Sequence, residues 1–202
     1  MKLILVRHGE TEWNRQRRIQ GSRSDTRLSQ EGLKEADRLA AALRSEPIDA
    51  IYSSPLKRAA ETAQILADAC KVPVRLVDEL REIDLGELDG MFERELTGRY
   101  EEAWKGLREG NASTPLPGGE SLQDVQTRTS WAIDRMLERH VDGTVVVVAH
   151  LLTNLAILCQ ALEMDLSQVI QLRQAPASIT VLDMTTRGNS LVRFNDTCHL
   201  EG

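Results

Sequence analysis

The chain has 202 residues, of which 41% are apolar and 28% charged, and its net charge is −6. That balance excludes a disordered polymer, and the acidic surplus argues against non-specific nucleic-acid binding. The length suits a single α/β domain, residues 1–202, with a sizeable core.

The first predicted strand is the apolar run 3–6, short and continuous as in a strand buried on both faces. It runs straight into Arg7, His8 and Gly9. In an open α/β sheet, ligands collect at the carboxyl ends of strands. A guanidinium grips phosphate oxygens through a rigid fork of donors, and an imidazole beside it can attack phosphorus or move a proton. Gly9 lets the backbone approach a ligand closely. These residue types suggest a phosphate site containing a nucleophile. Arg7, Arg15, Arg17, Arg18, Arg23 and Arg27 stand against Glu10, Glu12 and Asp25 in the polar stretch that follows, a local surplus of positive charge.

Ser29 reads as an N-cap, with Leu33, Ala36, Leu39, Ala40 and Leu43 at helical spacing behind it. Pro47 ends that helix, and 48–52 is a second short apolar strand. Ser54 then caps a helix whose first residue is Pro55. Arg58 falls in its first turn, near the carboxyl edge of the sheet, where a helix N-terminus also favours an anion. A third strand is expected over 72–77, with Pro73 placing it at a strand start or on an edge. Residues 78–87 crowd carboxylates together (Asp78, Glu79, Glu82, Asp84, Glu87), and spacing does not choose among them.

Residues 88–120 change character. An amphipathic helix is expected over 91–108, carrying Phe92, Leu96, Tyr100, Trp104 and Leu107, followed by a loop rich in Pro and Gly. An insertion at this point would stand over the carboxyl edge as a lid; its aromatic stripe reads as core before substrate contact. Ser121 with Asp124 forms a capping box for the next helix, and His140 at its end suits the dipole and is read as structural. The β-branched run 144–149 ends in His150, repeating the logic of His8. Helices are expected over 155–162 and from Ser167, then strands over 177–184 and 190–194 joined by a turn. His199 in the tail is given no chemical role.

Cys70, Cys159 and Cys198 offer neither a disulfide framework nor zinc-ligand spacing, so reduced thiols in a cytoplasmic protein are expected. Met1 and Lys2 lead directly into a strand, with no room for a signal peptide, and no apolar run approaches the ~20 residues of a membrane span.

The string RHGETEWN closely resembles the Arg-His-Gly signature of the histidine phosphatase superfamily, the phosphoglycerate mutase-like proteins. The likeness continues in order through SSPLKRAAETA, LREIDLGELDG, PGGES, the strand ending at His150, and the tail. The resemblance implies a three-layer α/β sandwich with a mostly parallel sheet. It makes His8 the nucleophile, Arg7 and Arg58 the phosphate-binding arginines with a hydrogen bond from Asn14, His150 the second catalytic histidine, and Glu82 the proton donor. A glutamate shielded from water can serve as an acid near neutral pH. The implied function is a phosphomonoesterase on small phosphorylated metabolites, acting through phosphohistidine without cofactor or metal, on a small-molecule partner, with a homodimer left open. Two alternatives stand beside it: a phosphoglycerate mutase, and a phospho-ligand-binding module with weakened catalysis. The last is motivated by a departure from the family pattern, since Leu151 follows His150 where glycine is usual.

Overall fold

A computed structural model describes residues 1–201. Six strands form one sheet: β1 (Lys2–Arg7), β2 (Ala50–Ser53), β3 (Val74–Leu76), β4 (Thr144–Ala149), β5 (Ile179–Thr185) and β6 (Gly188–Asp196), in the order β3-β2-β4-β1-β5-β6. The first four are mutually parallel, while β5 and β6 run antiparallel and close one side. The helices are α1 (Glu12–Arg15), α2 (Gln30–Leu43), α3 (Lys57–Cys70), α4 (Arg99–Arg108), α5 (Leu122–Arg139) and α6 (Leu151–Ala161).

The central strands are buried on both faces, so every side chain of β4 is inside. Alternation along β1 and β4 sorts them into two cores. Leu3, Leu5, Val145 and Val147 face α5 and α6, while Ile4, Val6, Val146 and Val148 face α2 and α3. That gives the expected three layers. Among the described residues no helix is long and apolar enough to cross a membrane.

The register between β1 and β4 positions the site. Arg7 lies opposite Ala149, and His8 N–H donates to Ala149 O at 3.0 Å. His8 and His150 therefore leave the sheet side by side at its carboxyl edge.

Several expectations are corrected. Thr11 caps an unexpected turn of helix, α1, in a capping box with Asn14. Ser54 does not cap α3; the N-cap is Leu56, without a side-chain bond. The third strand shrinks to three residues at the sheet edge. Helix α6 begins directly after His150, which is its N-cap, rather than at 155. Within the predicted lid only α4 is a full helix. Residues 90–93 instead pair with 17–19: Ile19 N–H donates to Met91 O, Gly90 N–H to Ile19 O, and Arg18 bridges to Phe92. Those extended backbone bonds hold the segment out of a helix. The caps predicted at Ser29 and at Ser121 with Asp124 form as expected.

Candidate active site

His8 is buried, 3% exposed, and its Nδ1 lies 2.7 Å from Gly9 O. A carbonyl only accepts, so Nδ1 carries the proton and Nε2 keeps its lone pair. Burial, with Arg58 and Arg7 nearby, pushes the His8 pKa well below 6.5, which keeps the ring neutral. Gly9 serves packing, not ligand approach: a Cβ there would come within 2.6 Å of Gly32 O on α2.

Both arginines are fixed by carbonyls. Arg7 Nη1 donates to Gln174 O at 2.5 Å. Arg58 is fully buried and donates to Ser24 O (2.7 Å) and Gly21 O (3.0 Å). The same 21–24 loop is held from its other side by Asp89, whose carboxylate accepts from the N–H groups of Gly21, Arg23 and Ser24. Burial lowers the Arg58 pKa to about 10, against the opposing pull of Glu82, so it remains a cation at neutral pH. Arg7 Nε and Arg58 Nε are buried without protein partners.

His150 is fully buried, and its ring centroid stands 5.2 Å from that of His8. Its Nε2 meets Ser54 Oγ at 2.8 Å, while Nδ1 has no protein partner. This is what occupies Ser54 in place of a helix cap. Burial and the charges of Arg58 and Arg7 hold His150 neutral as well, its pKa pushed well below 6.5.

Glu82 is buried, 6% exposed, on a loop between β3 and α4. Its carboxylate accepts from Leu152 N–H (3.2 Å), Thr153 N–H (3.1 Å) and Ile83 N–H (3.0 Å), with Thr153 Oγ1 3.1 Å away. The N-terminus of α6 thus grips it. The other carboxylates of 78–87 are used elsewhere or exposed: Asp84 pairs with Arg23 at 2.8 Å, Glu87 with Arg99 at 2.5 Å, and Asp78 with Arg81 at 3.0 Å. Burial separates Glu82 from neighbours that spacing could not distinguish.

Arg7, His8, Asn14 and Glu82 line one end of a cavity of about 310 Å³. Ile19, Ile83, Leu85, Leu151, Leu152 and Trp104 supply apolar wall, with Arg17, Arg18, Gln20 and Glu93 around it. Trp104 therefore packs against the core and faces the cavity at once. The Asn14 oxygen is committed to Thr11 N–H and Oγ1, both at 3.0 Å, leaving its amide N–H groups free to donate. Among the described residues no three His, Cys, Asp or Glu side chains stand close enough together to hold a metal ion.

Sequence reading missed the residues that support these groups. Thr62 Oγ1 accepts from Gly9 N–H at 3.1 Å, Gln174 holds Arg7, and Thr153 holds Glu82. Thr153 had a signal, lying three residues after a histidine that ends a buried strand. Gln174 had none.

Residues 3–197 match the model of the histidine phosphatase superfamily, branch 1. Phosphoserine phosphatase 1 of Hydrogenobacter thermophilus is 40% identical over 200 residues, covering 99% of this chain and 94% of the relative. A probable phosphoglycerate mutase GpmB of Proteus mirabilis is 39% identical over 153 residues, 74% of this chain and 69% of that one. The crystal structure of an Entamoeba histolytica phosphoserine phosphatase mutant in complex with phosphoserine superposes with a TM-score of 0.89 at 30% identity, covering 98% of each chain. The chain belongs to branch 1 of the histidine phosphatase superfamily.

Proposed function

We propose that the protein hydrolyses phosphomonoesters of small metabolites by passing the phosphoryl group through His8. The observation that carries this is a neutral His8 with Nδ1–H tied to Gly9 O and Nε2 left free, beside the half-buried Arg7 and the fully buried Arg58. The Nε2 lone pair attacks phosphorus in line with the ester oxygen. Arg7, Arg58, Asn14 and His150 Nδ1–H donate to the non-bridging oxygens as their charge redistributes. For that role His150 Nε2 accepts from the Ser54 hydroxyl, whose 2.8 Å contact suits it. As the P–O bond breaks, Glu82 in its protonated form gives the leaving alkoxide its proton. Its carboxylate then takes a proton from the water that attacks phosphohistidine, and phosphate departs.

In this reading the arginines and His150 supply the positive charge, with no metal or cofactor. Every group comes from one chain, so neither a homodimer, a nucleic acid nor a membrane is needed for the chemistry. Free thiols at Cys70, Cys159 and Cys198 suit a cytoplasmic setting. Phosphoserine is the first substrate to test, since full-length relatives carry that activity in their names. The mutase reading rests on a shorter match. The binding-module reading rests on Leu151, and the retention of Arg7, His8, Arg58, Glu82 and His150 stands against it.

The test is turnover over a panel of phosphate monoesters, with 3-phosphoglycerate plus bisphosphoglycerate included. Hydrolysis that survives excess EDTA, with acid-labile label on His8, supports the proposal. Loss of activity on chelation, restored by magnesium or zinc, overturns the metal-free part. Isomerisation faster than hydrolysis assigns a mutase.

A further inference from the structure

Glu82 sits on a stretch with no regular backbone ladder, yet proton transfer tolerates little positional error. What holds that stretch is a side chain from another layer. Arg128, on α5, donates to three carbonyl groups around the acid: Glu79 O at 2.6 Å, Arg81 O at 2.8 Å and Glu82 O at 3.2 Å. Its remaining donors make a bidentate pair of hydrogen bonds to Glu120, Nε to Oε1 at 2.9 Å and Nη2 to Oε2 at 3.1 Å. Glu120 in turn accepts from Asp84 N–H at 2.8 Å, and its own N–H donates to Asp84 O at 2.8 Å. The pair brackets 79–84 from both sides. Gly119 permits the approach, because a Cβ there would collide with Asp84 O.

The carboxylate end is fixed independently by Leu152 and Thr153 of α6, and Thr153 Oγ1 also donates to Arg81 O at 2.8 Å. Backbone and carboxylate are thus held by two helices that pack on each other. Arg128 does not line the cavity and does not reach the reacting atoms. Lysine could not replace it, since a single ammonium lacks the planar fork that spans carbonyls and carboxylate together.

We propose that Arg128, backed by Glu120, is a positioning residue that sets where Glu82 delivers its proton; this rests on Glu82 being the proton donor. A loss of positioning touches both of its proton transfers, but kcat/KM reports only the steps through departure of the leaving group, and there the loss is selective. Substrates whose alcohol needs a proton suffer, and those with a stable leaving anion do not.

The experiment compares kcat and KM for 2-glycerophosphate and for 4-nitrophenyl phosphate in wild type, Arg128→Lys, Glu82→Gln and the double variant. Arg128→Lys should lower kcat/KM on 2-glycerophosphate about tenfold or more, and on the aryl ester less than about threefold. In the Glu82→Gln background, Arg128→Lys should add no further selective loss, because the two act on one step. Thermal unfolding checks each fold. If Arg128→Lys does not fold, Glu120→Gln weakens the same fork and must show the same selectivity. An equal loss on both substrates, with Glu82→Gln itself selective, overturns the positioning role and leaves the acid in place. No selectivity in Glu82→Gln removes both.

Discussion

The two sides of the cavity are built differently. On the sheet side, His8, Arg58 and His150 are buried, and each follows directly from a central strand or the helix after it. On the other side, residues 86–108 carry short turns and one ten-residue helix, anchored to the core by Leu88, Leu96 and Leu107 and tied along their exposed surface by ion pairs and stacked cations. Arg99 pairs with Glu87, Arg108 with Glu93, and Arg18 lies 4.0 Å over the ring of Trp13 and 5.4 Å from that of Phe92. Exposed pairs of this kind contribute at most about 1 kcal/mol each. In the proposed reading the groups that handle the phosphoryl group rest on positions fixed by the core, while the charged surface of the opposite wall rests on weaker and more replaceable contacts. Changes on the sheet side should cost catalysis for every substrate, and changes opposite should cost selectivity.

The largest effect expected is at His8. His8→Ala should lower kcat about ten-thousandfold or more on every ester, as removal of a nucleophile does elsewhere. Turnover by stopped assay and incorporation of labelled phosphate check it. Label appearing on a serine or cysteine of the wild type would move the nucleophile away from the strand end. Arg58→Ala comes next: about 2–4 kcal/mol of transition-state stabilisation, or roughly a hundredfold or more in kcat/KM. That loss should be the same for aryl and alkyl esters. Kinetics unchanged in a folded variant would return Arg58 to holding the 21–24 loop alone.

The same contrast governs what was legible in the sequence. An apolar run leading into Arg7 and His8, and a β-branched run ending in His150, pointed to a site because buried strands tolerate such residues only at their ends. The layers and the helices from Ser29 and Ser121 were legible for the same reason: periodicity and caps are local. What remained hidden depends on distant partners. Glu82 could not be told from Asp84 or Glu87, because its burial is decided by the N-terminus of α6, seventy residues on. Ser54 looked like a cap because its sequence neighbours fit one; its partner is His150. The lid helix was overcalled because 90–93 bonds to 17–19, a pairing invisible to helical periodicity.

A smaller effect tests whether the sheet side is as dry as its geometry implies. The His8 and His150 pKa values are pushed well below 6.5, chiefly by burial. Above pH about 6.5 both the folded and unfolded chains hold these rings neutral, and they contribute nothing to pH dependence. Below it the unfolded chain binds protons that the folded chain refuses, so stability falls as pH falls. The slope approaches about 1.4 kcal/mol per group per pH unit. Asp25, Asp124, Asp165 and Asp196 have lowered pKa values and lose their contributions only below about pH 4. Between about pH 7 and 5 His199, also lowered by burial, adds to the slope and the raised Glu35 opposes it toward the low end, so the comparison with wild type carries the test: in urea unfolding, His8→Gln or His150→Gln should each flatten the curve. An unchanged curve in both variants would mean that water reaches the rings.

The smallest effect belongs to the opposite wall. Trp104 lines the cavity, and its Nε1–H donates to Glu93 Oε1 at 3.0 Å, beside Arg108. Trp104→Phe keeps an aromatic body against the core but removes that hydrogen bond, a change of about 1 kcal/mol or roughly fivefold. Glu93 is then free to shift, which alters the charge facing the leaving group and leaves His8, Arg58 and His150 where they are. The expected result is a shift of roughly fivefold in the ratio of kcat/KM for phosphoserine against 4-nitrophenyl phosphate, carried by KM. Steady-state kinetics on the two esters measures it directly. In the proposed reading charge makes phosphoserine the sensitive partner, since it carries an ammonium and a carboxylate and the nitrophenyl ring offers neither. A kcat loss on both esters as large as that of Arg58→Ala would place Trp104 within the chemistry and erase the division between the two sides.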